Sequence, residues 1–136
     1  MDIEIRMRLY RSMLSILLAE DDDALRESLA SYFIAEGFKV FPARSGLEAV
    51  EIALKKQISF SVMDINMPGL SGIDAFRSIL DEKGDLPCIF MSGDASRDTM
   101  LRALEAGGFS FLSKPIQIDL MKRSVDQLLS KYFYRK

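Results

Sequence analysis

Four apolar runs in this chain are each followed at once by side chains able to do chemistry. Ile16-Leu17-Leu18-Ala19 leads into Glu20-Asp21-Asp22-Asp23, and Ser61-Val62-Met63 leads into Asp64. Cys88-Ile89-Phe90-Met91 leads into Ser92-Gly93-Asp94, and Phe109-Ser110-Phe111-Leu112 into Ser113-Lys114-Pro115. Carboxylates brought close together repel, and one of them takes up a proton unless a cation intervenes. Mg2+ prefers oxygen ligands, keeps several waters and commonly sits on one or two carboxylates plus phosphate oxygens. The chain has no histidine and one cysteine, which favours Mg2+ over zinc as the metal for Glu20, Asp21 and Asp64. Lys114 can balance the negative charge and grip a phosphoryl oxygen. Ser92 offers a hydroxyl, and Gly93 leaves its backbone N–H open. Such a set suits phosphoryl transfer, which depends mostly on positioning and charge stabilisation. Asp64 would be the nucleophile, forming an aspartyl phosphate. The plainer alternatives are a loop aspartate at 64 and an acidic helix start at Asp22 and Asp23, since carboxylates favour a helix's first turn.

These residues meet only if the elements carrying them line up. Runs at 13–19, 38–42, 60–64, 87–91 and 109–112 are short and apolar, as buried strands are. Between them lie helical patterns at 22–36, 45–56, 72–83, 96–106 and 116–132. Leu25, Leu29, Tyr32 and Phe33 mark the inner face of the first helix, and Leu47, Val50 and Leu54 that of the second, which Ser45 and Glu48 open as a capping box. Ile73, Phe76 and Leu80 face inward on the third, and Met121, Val125, Leu128 and Leu129 on the last. Five strand–helix units imply an α/β fold, a (βα)5 parallel sheet covered on both faces. Ligands bind such sheets at the carboxyl ends of the strands. If the first strand lies beside the third, Glu20, Asp21 and Asp64 converge there.

Composition narrows the function classes. The 136 residues are 49% hydrophobic and 28% charged, ordinary for one globular domain. A net charge of −2 offers no overall basic surface for nucleic acid. No apolar run approaches the roughly 18 residues of a membrane span. Without histidine, Ser-His and Cys-His nucleophile pairs are excluded. A lone Cys88 in an apolar run reads as a small buried hydrophobe in a reducing, cytoplasmic setting. Residues 1–12 alternate Ile3, Ile5, Met7 and Leu9 with charges. They read as a mobile N-terminal extension rather than an added strand, leaving 13–134 as the domain. Lys122, Arg123, Lys131, Arg135 and Lys136 read as a solvated face of the last helix. Tyr132, Phe133 and Tyr134 read as cover for the core or part of a partner surface.

The four polar segments, in this order and each behind a successive strand, resemble the response-regulator receiver domains of bacterial two-component signalling. The resemblance covers about 13–132. It implies the flavodoxin-like strand order 2-1-3-4-5 and a phosphoacceptor at Asp64. It also implies Glu20 and Asp21 as Mg2+ ligands, direct or through water, and a backbone carbonyl on the metal from Asn66. Ser92 and Lys114 would bind the phosphoryl group, the Lys114–Pro115 peptide would be cis, and Phe111 would be the switch aromatic. Asn66 and Asp94 would tune phosphate lifetime. Glu20, Ser92 and Phe111 stand where Asp, Thr and Tyr are commoner in the family, and Phe111 lacks the hydroxyl of that tyrosine.

The function expected is a stand-alone switch, a monomer or weak dimer. It would take a phosphoryl group from a histidine kinase, a phosphotransfer protein or a small donor, and change the face formed by 96–132 to control a target protein. The chain would be no enzyme beyond its own phosphorylation and dephosphorylation. A relay intermediate passing phosphate to a histidine, or the receiver part of a larger transcription factor, are the alternatives; a phosphatase acting on external substrates has no substrate-pocket motif to support it.

Overall fold

The computed structural model describes residues 1–134; Arg135 and Lys136, assigned above to the charged face of the last helix, lie outside the described residues. The elements run α1 (Ile3–Arg11), β1 (Ser15–Ala19), α2 (Asp23–Ala35), β2 (Lys39–Ala43), α3 (Gly46–Lys55), β3 (Phe60–Asp64), α4 (Gly72–Lys83), β4 (Cys88–Ser92), α5 (Arg97–Glu105), β5 (Ser110–Ser113) and α6 (Ile118–Tyr132). The strands form one parallel sheet in the order β2-β1-β3-β4-β5, the flavodoxin-like arrangement.

Side chains along a strand alternate between faces, and here both faces are apolar. Leu17, Ala19, Met63, Cys88 and Phe90 point to one core, shared with Ala49 and Ala53 of α3, Phe76 and Ile79 of α4 and Ala103 of α5. Ile16, Leu18, Phe60, Val62, Ile89 and Met91 point to the other, shared with Leu29 and Phe33 of α2 and Met121, Val125, Leu128 and Leu129 of α6. Phe76 meets Phe90 edge to face at 5.4 Å, and Phe38 meets Phe60 at 5.8 Å in the second core. Aromatic pairs of this geometry contribute beyond their buried area.

The register sets the site. Ala19 pairs with Met63, so Glu20 and Asp64 emerge side by side. Asp64 pairs with Met91, which puts Ser92 next in line, and Ser92 pairs with Ser113, which puts Lys114 beyond it. β4 and β5 each run one residue further than their apolar runs, because Ser92 and Ser113 still pair across the sheet.

Two expectations need correction. The inner face of α3 is Gly46, Ala49 and Ala53, while Leu47 and Leu54 are 62% and 45% exposed. Close packing is the reason: a Cβ on Gly46 would lie 2.2 Å from the Leu70 carbonyl oxygen, so small residues must face in. Val50 is the one member of the expected stripe that packs against the core.

The extension at 1–12 is a helix, neither a strand nor an unstructured tail. Asp2 caps it by accepting from the Glu4 N–H at 2.7 Å. Ile3, Ile5 and Leu9 of the alternating set stay exposed, and the helix docks instead through Arg8, Arg11 and Tyr10. Arg8 and Arg11 donate to the carbonyls of Ala35 and Glu36 at the carboxyl end of α2. The Tyr10 hydroxyl donates to the Phe133 carbonyl at 2.8 Å, just past α6, and its ring meets Tyr134 at 5.2 Å. Phe133 and Tyr134 are thus cover for the second core, whereas Tyr132 is 40% exposed, with its ring against Phe109. Helix carbonyls without intrahelical partners are satisfied this way. Tyr10→Phe should lower stability by about 1 kcal/mol, the net worth of one hydrogen bond, read as a lower urea midpoint with unchanged slope.

Candidate functional site

At the carboxyl edge of the sheet, Glu20, Asp21 and Asp64 each present a carboxylate oxygen, and these oxygens lie within 4.8 Å of one another. Glu20 is fully buried and Asp64 is 2% exposed, while Asp21 is open to solvent. Lys114 enters from the end of β5, with its Nζ 2.7 Å from Glu20 Oε1 and 3.3 Å from Asp64 Oδ2. The Lys114–Pro115 peptide is cis.

Backbone N–H groups and Lys114 hold the Glu20 and Asp64 carboxylates in place. Glu20 Oε2 accepts from the Asp22 N–H at 3.0 Å, and Asp64 Oδ1 from the Asn66 N–H at 3.2 Å. Asn66 Nδ2 donates to Ser92 Oγ at 2.9 Å, joining the loops after β3 and β4. Behind Asp64 there is no room for a side chain: a Cβ on Gly72 would lie 2.0 Å from the Asp64 carbonyl oxygen, so the start of α4 closes directly on the strand end.

The charges are poorly balanced. Burial first, then the Glu20 charge, pushes the Asp64 carboxyl up to about 6, against the pull of Lys114 and the Asn66 N–H. Burial alone would lower the Lys114 ammonium, but its contacts with Glu20 and Asp64 outweigh that and hold it above its usual value. Among the described residues, Glu20 Oε1 has only the Lys114 ammonium, at 2.7 Å, as its partner, and that ammonium is shared with Asp64. Two buried carboxylates on one ammonium leave negative charge uncompensated, which costs free energy. A hard cation held by these three carboxylates would relieve it, and the all-oxygen donor set fits Mg2+.

Glu20, Asp21, Asp64, Asn66, Ser92 and Lys114 are therefore brought together. Phe111 is not in the cluster; it is half-buried against the core on the α4 side of the sheet. Asp94 joins by its backbone, its N–H donating to Ser92 Oγ at 2.9 Å, while its carboxylate turns toward α5. The sequence reading missed Arg26, which is buried, donates to the Glu20 carbonyl at 2.8 Å and pairs with Asp23 at 2.5 Å. Its signal was its spacing: Arg26 falls on the stripe of Leu29 and Phe33, an odd place for a charge unless it is bonded.

Residues 16–126 match the family described as response regulator receiver domain, and the chain belongs to that family. Among curated proteins it is 31% identical over 118 residues to the transcriptional regulatory protein PdtaR of Mycobacterium tuberculosis, covering 86% of this chain and 57% of PdtaR. It is 28% identical over 116 residues to a cyclic di-GMP phosphodiesterase of Thermotoga maritima, covering 85% of this chain and 31% of that protein. Among solved structures, the response regulator protein TrrA of Thermotoga maritima, in complex with Mg2+–BeF, is 27% identical with a TM-score of 0.77, covering 86% of this chain and all of TrrA. The chain spans less than two thirds of the length of these curated relatives.

The site's strain has a measurable sign. Asp64 has its carboxyl raised on folding, so metal-free protein should lose stability as pH rises from about 4 to about 6. Above that window Asp64→Asn should be more stable than the wild type by on the order of 2 kcal/mol in a chelator. Mg2+ should raise the melting temperature of the wild type and do so less for Asp64→Asn and Glu20→Gln. Equal shifts in all three would place the metal elsewhere.

Proposed function

We propose that this chain is a phospho-accepting signalling switch with Asp64 as the phosphoacceptor. The observation carrying this reading is the Glu20–Lys114–Asp64 arrangement, in which one ammonium serves two buried carboxylates. Glu20, Asp21, Asp64 and the Asn66 backbone carbonyl would hold Mg2+, whose chemistry is to neutralise charge on the phosphoryl oxygens. The similar TrrA structure in complex with Mg2+–BeF supports that choice.

The reaction follows from the donor set. An Asp64 carboxylate oxygen attacks phosphorus in line with the leaving group, the new P–O bond forms, and the donor's P–N or P–O bond breaks. The leaving imidazole or carboxylate keeps the electron pair, the imidazole taking a proton from water. Lys114 shifts from the carboxylates toward the phosphoryl oxygens, and Ser92 donates its hydroxyl proton to another. The product carries about two negative charges where Asp64 carried one. Hydrolysis returns the carboxylate, with Asn66 and Asp94 flanking the water's approach.

The donor is a histidine kinase, a phosphotransfer protein or a small acyl phosphate. The receiver is a downstream protein that reads the face of α5, β5 and α6, with Phe111 on its inner side. A larger regulator carrying this domain is the second reading, favoured by the extra length of the curated relatives. With labelled acetyl phosphate and Mg2+, the wild type should gain an acid-stable, base-labile label. Asp64→Asn should take up none, and Lys114→Ala at least tenfold less than the wild type. Wild-type labelling of Asp64→Asn would sink the assignment.

A further inference from the structure

The segment joining β4 to α5 holds a relay of hydrogen bonds that phosphoryl transfer itself does not require. Ser92 Oγ accepts two, from Asn66 Nδ2 and from the Asp94 N–H, both at 2.9 Å. A hydroxyl has two lone pairs and one proton. With both lone pairs taken, the proton is what Ser92 has left to offer, and it is left for the pocket.

Asp94 is itself held from the helix side. Its Oδ1 accepts from the Ser96 N–H at 3.0 Å, and its Oδ2 from the Thr99 hydroxyl at 2.7 Å. These bonds, Thr99's foremost, hold the Asp94 carboxyl below its usual range. Thr99 is only 2% exposed although it carries a hydroxyl, and it also accepts from Ser96 Oγ at 3.1 Å. Asp94 lies on the surface, yet both its oxygens are committed to α5. Among the described residues, Lys114 pairs with Glu20 and Asp64 and not with Asp94.

We propose that Thr99 is a positioning residue for phosphoryl transfer: by anchoring Asp94 it fixes the Ser92 hydroxyl and keeps a fourth carboxylate out of the acidic pocket. The proposal rests on the reading of Asp64 as phosphoacceptor. Losing the anchor acts twice in one direction. The Ser92 hydroxyl becomes free to turn away from the phosphoryl oxygens, whose preorganised donors carry much of the catalysis. The released Asp94 carboxylate adds negative charge where an anionic donor must approach.

Thr99→Val keeps the side-chain shape and removes the donor. Labelling of Thr99→Val by acetyl phosphate with Mg2+ is expected to slow threefold or more, with Thr99→Ser staying within twofold of the wild type. On an Asp94→Ala background, Thr99→Val is expected to add nothing. Amide hydrogen exchange at Asp94, measured without any phosphodonor, is expected to be faster in Thr99→Val and restored in Thr99→Ser. If Thr99→Val does not fold, Asp94→Ala at its exposed position removes the anchor without releasing a carboxylate, so faster amide exchange at position 94 and slower labelling are expected from the freed Ser92 hydroxyl, and wild-type exchange and labelling there overturn the proposal. Wild-type rates and exchange in a folded Thr99→Val overturn the proposal alone, as does the same slowing by Thr99→Val when Asp94 is alanine. A wild type that takes no label at all overturns the phosphoacceptor reading first, and the proposal falls with it.

Discussion

Three carboxylates held within 4.8 Å of one another, with a single lysine among them, are the constraint that the rest of the molecule serves. Left free, such groups would separate or protonate. Here they do not separate, because Glu20 and Asp21 follow the end of β1 and Asp64 ends β3, the strand hydrogen-bonded beside it. The two apolar cores on either side resist any relaxation that would move one strand against its neighbour, since close-packed interiors deform poorly. The repulsion is thus maintained by packing far from the charges. Its relief is left to what binds at the strand ends.

The register converts sequence order into spatial order. Each paired residue is followed by the next member of the cluster, so that Glu20, Asp64, Ser92 and Lys114 form a row across four adjacent strands. Hydrogen bonds between the loops then tie the row together, Asn66 to Ser92 and Asp94 to Ser92. Gly72 belongs to the same design. Without its hydrogen side chain α4 could not begin so close to Asp64, and the turn after β3 would have to swing wider.

Much of this was legible beforehand, for identifiable reasons. Apolar runs of four or five residues that stop abruptly at a charge are strong signals of buried strands, and their ends carried the site. What failed did so where tertiary contact overrides local pattern. On α3, Leu47 and Leu54 make the louder stripe, but alanine and glycine face inward because a neighbouring backbone leaves no space for more. At the N-terminus, alternation of apolar and charged residues was read as a mobile extension, whereas α1 is a helix held by Arg8, Tyr10 and Arg11 bonding carbonyls distant in sequence. The direction of the Asp94 carboxylate could not be read from spacing, since the pocket and the start of α5 compete for it. Arg26 was readable as a charge on an apolar stripe, a faint signal beside a run of four acids.

α1 also changes how the molecule can loosen. By bonding to the ends of both α2 and α6, it staples two helices of one face at the edge opposite the site. On the other face α5 has only Thr99 and Ala103 buried along its length, while Met100, Leu101 and Leu104 face water. Elements with few buried apolar contacts are those that open at low free energy. Opening is therefore unequal: among the helices α2 to α6 that cover the sheet, α5 buries the fewest residues and belongs to the first unit to open. A thermal fluctuation that frees one of these five would free the one whose first buried residue is bonded to Asp94.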